Sequence, residues 1–262
     1  PEGGRIFSSL DGNNWLEAPV SPLPNVGRLE LEPSATNPNV LYALGNGHPG
    51  SPFPESFVPS MYRTTDGFAS KENFIKTKLP NDPSFSSING SFVGFQGYYN
   101  LTIEVDPTDD AIIYVGGIDL HKSVNRGDSW VPISKYYTPN LPVSRVHPDH
   151  HAMAFRPGNT NEAVFGTDGG VYYANNLASA ENDTTAIQSR MKEYVTTQFV
   201  KAAIGPNGVA NQSEIFMGGT QDNGTPAIIN PKDQTNNSIQ IGGGDGGYSF
   251  VDKDGQYLIL TT

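Results

Sequence analysis

Ile103-Glu104-Val105-Asp106-Pro107, Ile112-Ile113-Tyr114-Val115-Gly116-Gly117 and His121-Lys122-Ser123-Val124-Asn125-Arg126-Gly127-Asp128-Ser129-Trp130 follow one another in a single stretch of the sequence. Each run is short, rich in β-branched and aromatic residues, and bounded by Gly, Pro, Asn or Asp. That is the signature of strands joined by tight turns. The pattern returns along the chain. It precedes this stretch as Leu29–Pro33, Val40–Gly45 and Tyr62–Gly67, and follows it as Ala152–Pro157, Ala163–Gly166 and Val171–Tyr173. A fourth copy runs through Val200–Pro206 and Glu214–Gly219. The prolines at 33, 107, 157 and 206 are spaced by 74, 50 and 49 residues.

About fifty residues holding four short strands is the size of one β-propeller blade. The expectation is therefore an all-β chain: a β-propeller of four-stranded antiparallel blades. The repeat places blade units at 28–95, 96–146, 147–198 and 199–244. Residues 1–27 read as the two outer strands of a blade and 245–262 as two inner strands, so the chain holds about five blades' worth. A closed five-bladed ring is arithmetically possible; the favoured expectation is an arc of a larger ring within a longer parent chain. Only Ala186–Tyr194, with Ile187, Met191 and Tyr194 at helical spacing, reads as a helical turn.

Composition narrows the function classes. The 262 residues include 27 acidic and 16 basic ones, a net charge of -11. An acidic chain lacks the basic face that nucleic acid or anionic lipid requires. No stretch approaches the about 20 apolar residues that cross a bilayer, so membrane insertion is not expected. With no Cys, disulfides, thiolate metal sites and a Cys nucleophile are excluded. Twenty-nine Gly, 21 Pro and 12 Tyr fit many turns and aromatic strands. The chain begins at Pro1, not Met, and is expected to be a processed piece of a secreted or cell-surface protein.

Three turns share one layout. Ser123-x-Asn125-x-Gly127-x-x-Trp130 is an Asp box with Asn in the Asp place; Ser9-x-Asp11-Gly12-x-x-Trp15 is one residue shorter; Thr64-x-Asp66-Gly67 lacks the Trp, with Phe74 as its substitute. Asp or Asn accepts backbone N–H bonds in a tight turn, Gly takes positive φ, and the aromatic ring is expected beneath the turn. Their role is structural.

These repeats resemble the Asp-box (BNR-type) propellers of sortilin-like receptors, sialidases and two-propeller xyloglucan hydrolases. The resemblance is nearest to secreted BNR/sortilin-like repeat proteins of Bacteroidetes. It rests on Tyr99–Pro107, His147–Ala152, Gly166–Tyr172, Gly218–Thr225 and Gly243–Gly247. It implies a propeller, and a glycosyl hydrolase-like label that follows from the repeat more than from any site.

Blade phasing then sorts residues by face. With strands A (inner) to D (outer), the D-to-A and B-to-C connections lie at the channel mouth and the Asp boxes, as C-to-D turns, lie opposite. The mouth face is expected to carry Gln96, Tyr98, Tyr99, Asn100, His147, Asp149, His151 and Asp245 before A strands. Asp119, Asp168, Gln221, Asp222 and Asn223 join them in B-to-C turns. The ligand-binding candidates among these are Tyr98, Tyr99, Asn100, His147, Asp149, His151, Gln221 and Asn223. His147-x-Asp149-x-His151, if extended, presents two imidazoles and a carboxylate to one side, a set that suits a divalent transition metal. The Asp168 and Asp222 turns could take Ca²⁺ through oxygens. Otherwise no cofactor is expected, and Gly243–Gly247 precedes a strand rather than the helix a phosphate loop requires.

Two function classes follow. A module binding glycan or protein needs only a rim of Tyr, Asn, Gln and Asp. A glycoside hydrolase needs two carboxyl groups at roughly 5–5.5 Å (retaining) or roughly 6.5–9.5 Å (inverting), for which Asp168, Asp222 and Asp245 are the candidates. Sialidase chemistry needs an arginine cluster, and Arg63 and Arg126 belong to the Asp-box side.

Overall fold

The computed structural model describes residues 4–20, 23, 26–47, 59–82, 90–192, 197–205, 214–230, 238–254, 256 and 258–261. It divides into two compact units, Pro1–Lys192 and Glu193–Thr262, and among the described residues its regular elements are β-strands apart from one short 3₁₀ turn, Ala180–Asn182.

The first unit opens with a short hairpin, β1 (Phe7–Ser8) and β2 (Leu16–Glu17). Three four-stranded antiparallel meanders follow. Blade one is β3 (Arg28–Pro33), β4 (Leu41–Asn46), β5 (Ser60–Thr64) and β6 (Ile75–Thr77). Blade two is β7 (Thr102–Val105), β8 (Ile113–Gly116), β9 (Leu120–Ser123) and β10 (Val131–Pro132). A short parallel pair, β11 (Ser134–Lys135) and β12 (Ser144–Arg145), leads to blade three. That blade is β13 (His150–Arg156), β14 (Asn159–Thr167), β15 (Gly170–Ala174) and β16 (Ile187–Ser189). The first strands β3, β7 and β13 lie one against the next, which is the inner-strand arrangement of consecutive propeller blades.

The second unit holds a fourth meander, β17 (Phe199–Gly205), β18 (Ile215–Thr220), β19 (Thr225–Ile229) and β20 (Ile239–Gly242). A hairpin, β21 (Ser249–Val251) and β22 (Leu258–Leu260), follows it. Its Val251 and Leu260 pack on the small core of Ile215, Met217 and Ala227.

Burial explains the strand pattern. β7 alternates, with Ile103 and Val105 buried and Thr102 and Glu104 half-buried. β8 is buried along its whole length because it has a core on each side. Ile113 and Val115 join the cluster of Tyr42, Leu44 and Met61 from blade one, while Tyr114 joins Met153, Phe165 and Ile187 of blade three. A strand covered on both faces reads as a continuous apolar run, as Ile112–Val115 does.

Two expectations are corrected. The stretch Ala186–Tyr194 supplies a strand, β16, where helical spacing was expected; Ile187 N–H bonds the buried Ser144 hydroxyl at 2.9 Å, and pairing with β15 decides its conformation. Tyr194 lies outside the described residues. Trp15 does not lie beneath its turn: it is 61% exposed, and its indole N–H bonds Gly12 O of the same turn. Trp130 differs because a neighbouring blade meets it. Its Nε1 donates to Lys78 O at 3.1 Å, and its ring packs partly buried on the core shared by blades one and two.

The three turns share a pattern of polar contacts. Asp11 Oδ1 accepts the N–H groups of Asn13 and Asn14, both at 2.8 Å. Asp66 accepts Ala69 N–H, Ser70 Oγ and Asn73 Nδ2. Asn125 Oδ1 accepts Ser129 N–H at 2.9 Å, and Ser123 Oγ accepts Gly127 N–H at 2.9 Å. Donors converging on Asp11 and Asp66 hold both carboxyls below the usual carboxylate range. Phe74 takes the aromatic place of the second turn, stacked on Tyr62 at 4.4 Å and edge-on to Phe68.

Candidate functional site

In the first unit the residues of one end of the blades meet. The loop Gln96–Asn100, which leads into β7, is a tight turn with Tyr99 and Asn100 N–H both bonded to Gln96 O. Tyr99 Oη donates to Asp168 Oδ1 at 2.7 Å. The same oxygen lies 2.7 Å from His151 Nε2, and the Tyr99 and His151 rings meet edge-on at 4.7 Å. Asn100 Nδ2 donates to Asp149 Oδ1 at 2.7 Å, and Gln96 Nε2 reaches the same atom at 3.3 Å. His147 joins from the side: a Cβ on Gly169 would fall 2.1 Å from its Cγ. Its ring is also 5.5 Å from that of Tyr136, which meets Tyr137 in turn. Thus Tyr99, His147, Asp149, His151 and Asp168 form one connected surface, with the fully buried Asn100 behind Asp149, while Tyr98 stands at its rim, 54% exposed.

The arrangement of His147, Asp149 and His151 is not the extended one expected. Asp149 has φ +63, so the alternation that would align three side chains is broken between the histidines. His151 turns to Asp168, and His147 Nδ1 lies 3.2 Å from Pro148 O. Among the described residues no three His, Asp or Glu side chains stand as a metal-ligand set. Asp149 is half-buried, and burial pushes its carboxyl up; the Asn100 amide acts against this and the nearby Asp168 charge adds to it.

Beneath this surface lie buried histidines that the sequence does not single out, together with Asp119, which was expected at the mouth face. His150, between the two surface histidines, is fully buried, and neither ring nitrogen has a hydrogen-bond partner among the described residues. Burial holds its pKa down to about 3 and that of His121 down to about 4. Asp119 is pushed up to about 8 by burial and the charge of Asp82. Alternation would have flagged His150, since a residue between two outward-facing ones points inward.

In the second unit Gln221 Nε2 donates to Asp245 Oδ1 at 2.9 Å and to Asp222 Oδ2 at 3.2 Å. Asp222 N–H donates to Asp245 Oδ1 at 2.9 Å. The backbone closes the same contact, Gly224 N–H to Gly244 O and Gly246 N–H to Thr220 O. Asn223 Nδ2 bonds Gln221 O. The β18–β19 turn and the lead-in to β21 therefore share one end of this unit. Asp222, Asn223 and Asp245 are exposed. Asn100 shows the opposite in the first unit, being fully buried.

No family model matches the chain, and no curated protein matches it. Among solved structures it is similar to the GH74 xyloglucanase from Xanthomonas campestris, with 12% identity and TM-score 0.42, over 91% of this chain and 39% of that one. It is also similar to YCF48 from Cyanidioschyzon merolae, with 13% identity and TM-score 0.43, over 98% of this chain and 73% of that one. A chain of the Mitotic Checkpoint Complex is similar at 13% identity and TM-score 0.35, over 90% and 58%. The chain spans about two fifths of the xyloglucanase's length.

Proposed function

We propose that this chain is a β-propeller module of a secreted or cell-surface protein that binds glycan or protein through its channel-mouth loops, as the Asp-box resemblance suggests. The observation that carries this reading is the surface formed by Tyr99, His147, Asp149, His151 and Asp168, backed by the buried Asn100 and rimmed by exposed Tyr98 and Tyr137. Exposed aromatic rings beside carboxylates and amides suit sugar rings, which stack on the former and hydrogen-bond the latter. Such loops on a rigid sheet scaffold are where binding residues concentrate. The reading needs no cofactor.

The test is a binding screen of the protein against immobilised oligosaccharides and peptides. Tyr98→Ala should weaken the best ligand at least ~10-fold, since its exposed ring contributes to no core. Unchanged affinity would remove the surface from the account.

One observation favours a hydrolase as the second reading. Asp149, held up by burial, and Asp168 sit in one cluster, as an acid and a carboxylate partner would. Asp149 was not among the carboxylates singled out for catalysis. Hydrolysis of an oligosaccharide lost in both Asp149→Asn and Asp168→Asn would establish this reading.

A further inference from the structure

The loop that presents Tyr98, Tyr99 and Asn100 belongs to blade two, yet its neighbours hold it. On the blade-three side, Asp168 and His151 take the Tyr99 side chain and Asp149 takes Asn100. On the blade-one side the grip is on the backbone, and one side chain supplies it. Arg28, the first residue of β3, donates from Nη1 to Tyr99 O at 2.5 Å and to Tyr98 O at 3.4 Å. Its Nη2 donates to Leu101 O at 2.8 Å. The rest of the guanidinium is engaged by Glu30, with Nε to Oε1 at 2.8 Å and Nη2 to the same oxygen at 2.7 Å. Nearby, Asn46 fills the space beside Gly97, where a Cβ would fall 2.2 Å from Asn46 Oδ1.

We infer that Arg28 is a positioning residue for the channel-mouth surface: its guanidinium fixes the backbone of residues 98–101 so that the Tyr98 and Tyr99 rings stand ready before any ligand arrives. Only a planar fork with several donors can reach three carbonyls of one turn and a carboxylate at once. A lysine ammonium, a single compact charge on a flexible stem, cannot reproduce this. Glu30 holds the guanidinium plane but touches none of the loop carbonyls. Holding a loop in its bound conformation raises affinity by removing the ordering cost from the binding step. The ligand half of this inference rests on the binding reading above; the positioning half does not.

The test compares Arg28→Ala, Arg28→Lys and Glu30→Gln with the wild type by amide hydrogen exchange and ligand affinity. The N–H groups of Tyr99 and Asn100 are protected by Gln96 O and report the loop directly. In both Arg28 variants their exchange should speed up at least ~10-fold, while amides of β8 and β14 keep wild-type protection. Glu30→Gln should leave the loop amides within about 3-fold of wild type. If Arg28→Ala unfolds, Arg28→Lys carries the comparison. Wild-type exchange at Tyr99 and Asn100 in Arg28→Lys would overturn the inference, as would equal loosening by Glu30→Gln. For affinity the probes are cello-, xylo-, manno- and chito-oligosaccharides of four to six sugars. A probe bound by the wild type should bind Arg28→Lys about 10-fold more weakly. Equal affinity, with the loop loosened, would overturn the ligand half. If the wild type binds none of them, the glycan reading fails, and exchange alone decides the role of Arg28.

Discussion

Replacing His121 by Leu should abolish a specific part of the protein's acid sensitivity. His121 is buried in β9, edge-on to Phe92 at 6.2 Å, and its Nδ1 has no hydrogen-bond partner among the described residues. The groups facing it are the Asp82 carboxylate, the Asp119 backbone and the His150 imidazole. Burial lowers its pKa from 6.5 to about 4, against the pull of Asp82. The folded state therefore resists protonation that the unfolded chain accepts. Between pH 6.5 and about 4 the unfolded chain binds more protons, so stability falls as pH falls through that window. The whole effect is about 3 kcal/mol, of which about 2 kcal/mol has been lost at pH 5. Other groups titrate in the same range, Asp119 in the opposite sense, so the difference between wild type and variant is the quantity to read. The cost of the substitution itself, in packing and in the polar atom removed, sets the offset at pH 7 and cancels in the pH dependence. Both tryptophans, Trp15 and Trp130, lie in the unit that holds His121, so denaturant unfolding followed by Trp fluorescence reports that unit. The stability difference should move by about 2 kcal/mol in favour of His121→Leu between pH 7 and pH 5. A difference constant within about 0.5 kcal/mol would refute the reasoning, because a neutral, desolvated imidazole must show this linkage.

Trp130→Ala should cost about 2–3 kcal/mol and Trp15→Ala below about 0.5 kcal/mol, since only the former packs on a core; denaturant midpoints of the two variants check this. Glu32 and Glu104 are each pushed up to about 7 by burial, Glu32 also by the Glu104 charge. A raised carboxyl gives stability that is full below its ordinary value and lost as pH rises through the raised one. Wild type should thus lose about 1 kcal/mol between pH 5 and 8 that Glu32→Gln retains, screening at these half-exposed groups removing the rest. Gly117→Ala should destabilise by about 2 kcal/mol, because its Cβ would meet Phe92 O at 2.5 Å and Val93 Cα at 2.9 Å. Gly166→Ala, whose Cβ would meet Ala152 Cβ at 4.0 Å, should change stability by less than about 1 kcal/mol; denaturant midpoints of the two glycine variants check this.

Strand order was legible because period-two alternation and turn residues are local signals, and the structure holds four-stranded antiparallel meanders. The grouping of Tyr99, Asn100, Asp149, His151 and Asp168 at one end was also legible, since antiparallel order alone alternates the connections between ends. Conformation within a connection was not. Asp149 takes positive φ, which an Asp tolerates without any mark in the sequence, and the proposed alignment of two imidazoles and a carboxylate depended on its being extended. Arg28 was invisible for another reason: its acceptors are carbonyls about seventy residues away, and backbone oxygens carry no residue identity. Trp15 and Trp130 occupy equivalent motif positions, yet only the blade packed alongside Trp130 makes it a core residue. Ile187 looked helical because three apolar residues at helical spacing cannot be told from a short outer strand without its pairing partner.

The central claim is that the loops carrying Tyr98 and Asp168 share one end of the blades while the turns of Asp66 and Asn125 occupy the other. The chain has no Cys, so pairs of introduced cysteines can carry spin labels cleanly. Distances between labels at 98 and 168, at 66 and 125, and at 98 and 125 test the claim by pulsed electron–electron resonance. The first two pairs should be short. The third should be longer than either by roughly the length of a blade strand, about 13 Å for four residues. A 98–125 distance equal to or shorter than the 98–168 distance would place both loops at one end and contradict the blade phasing and the surface built on it.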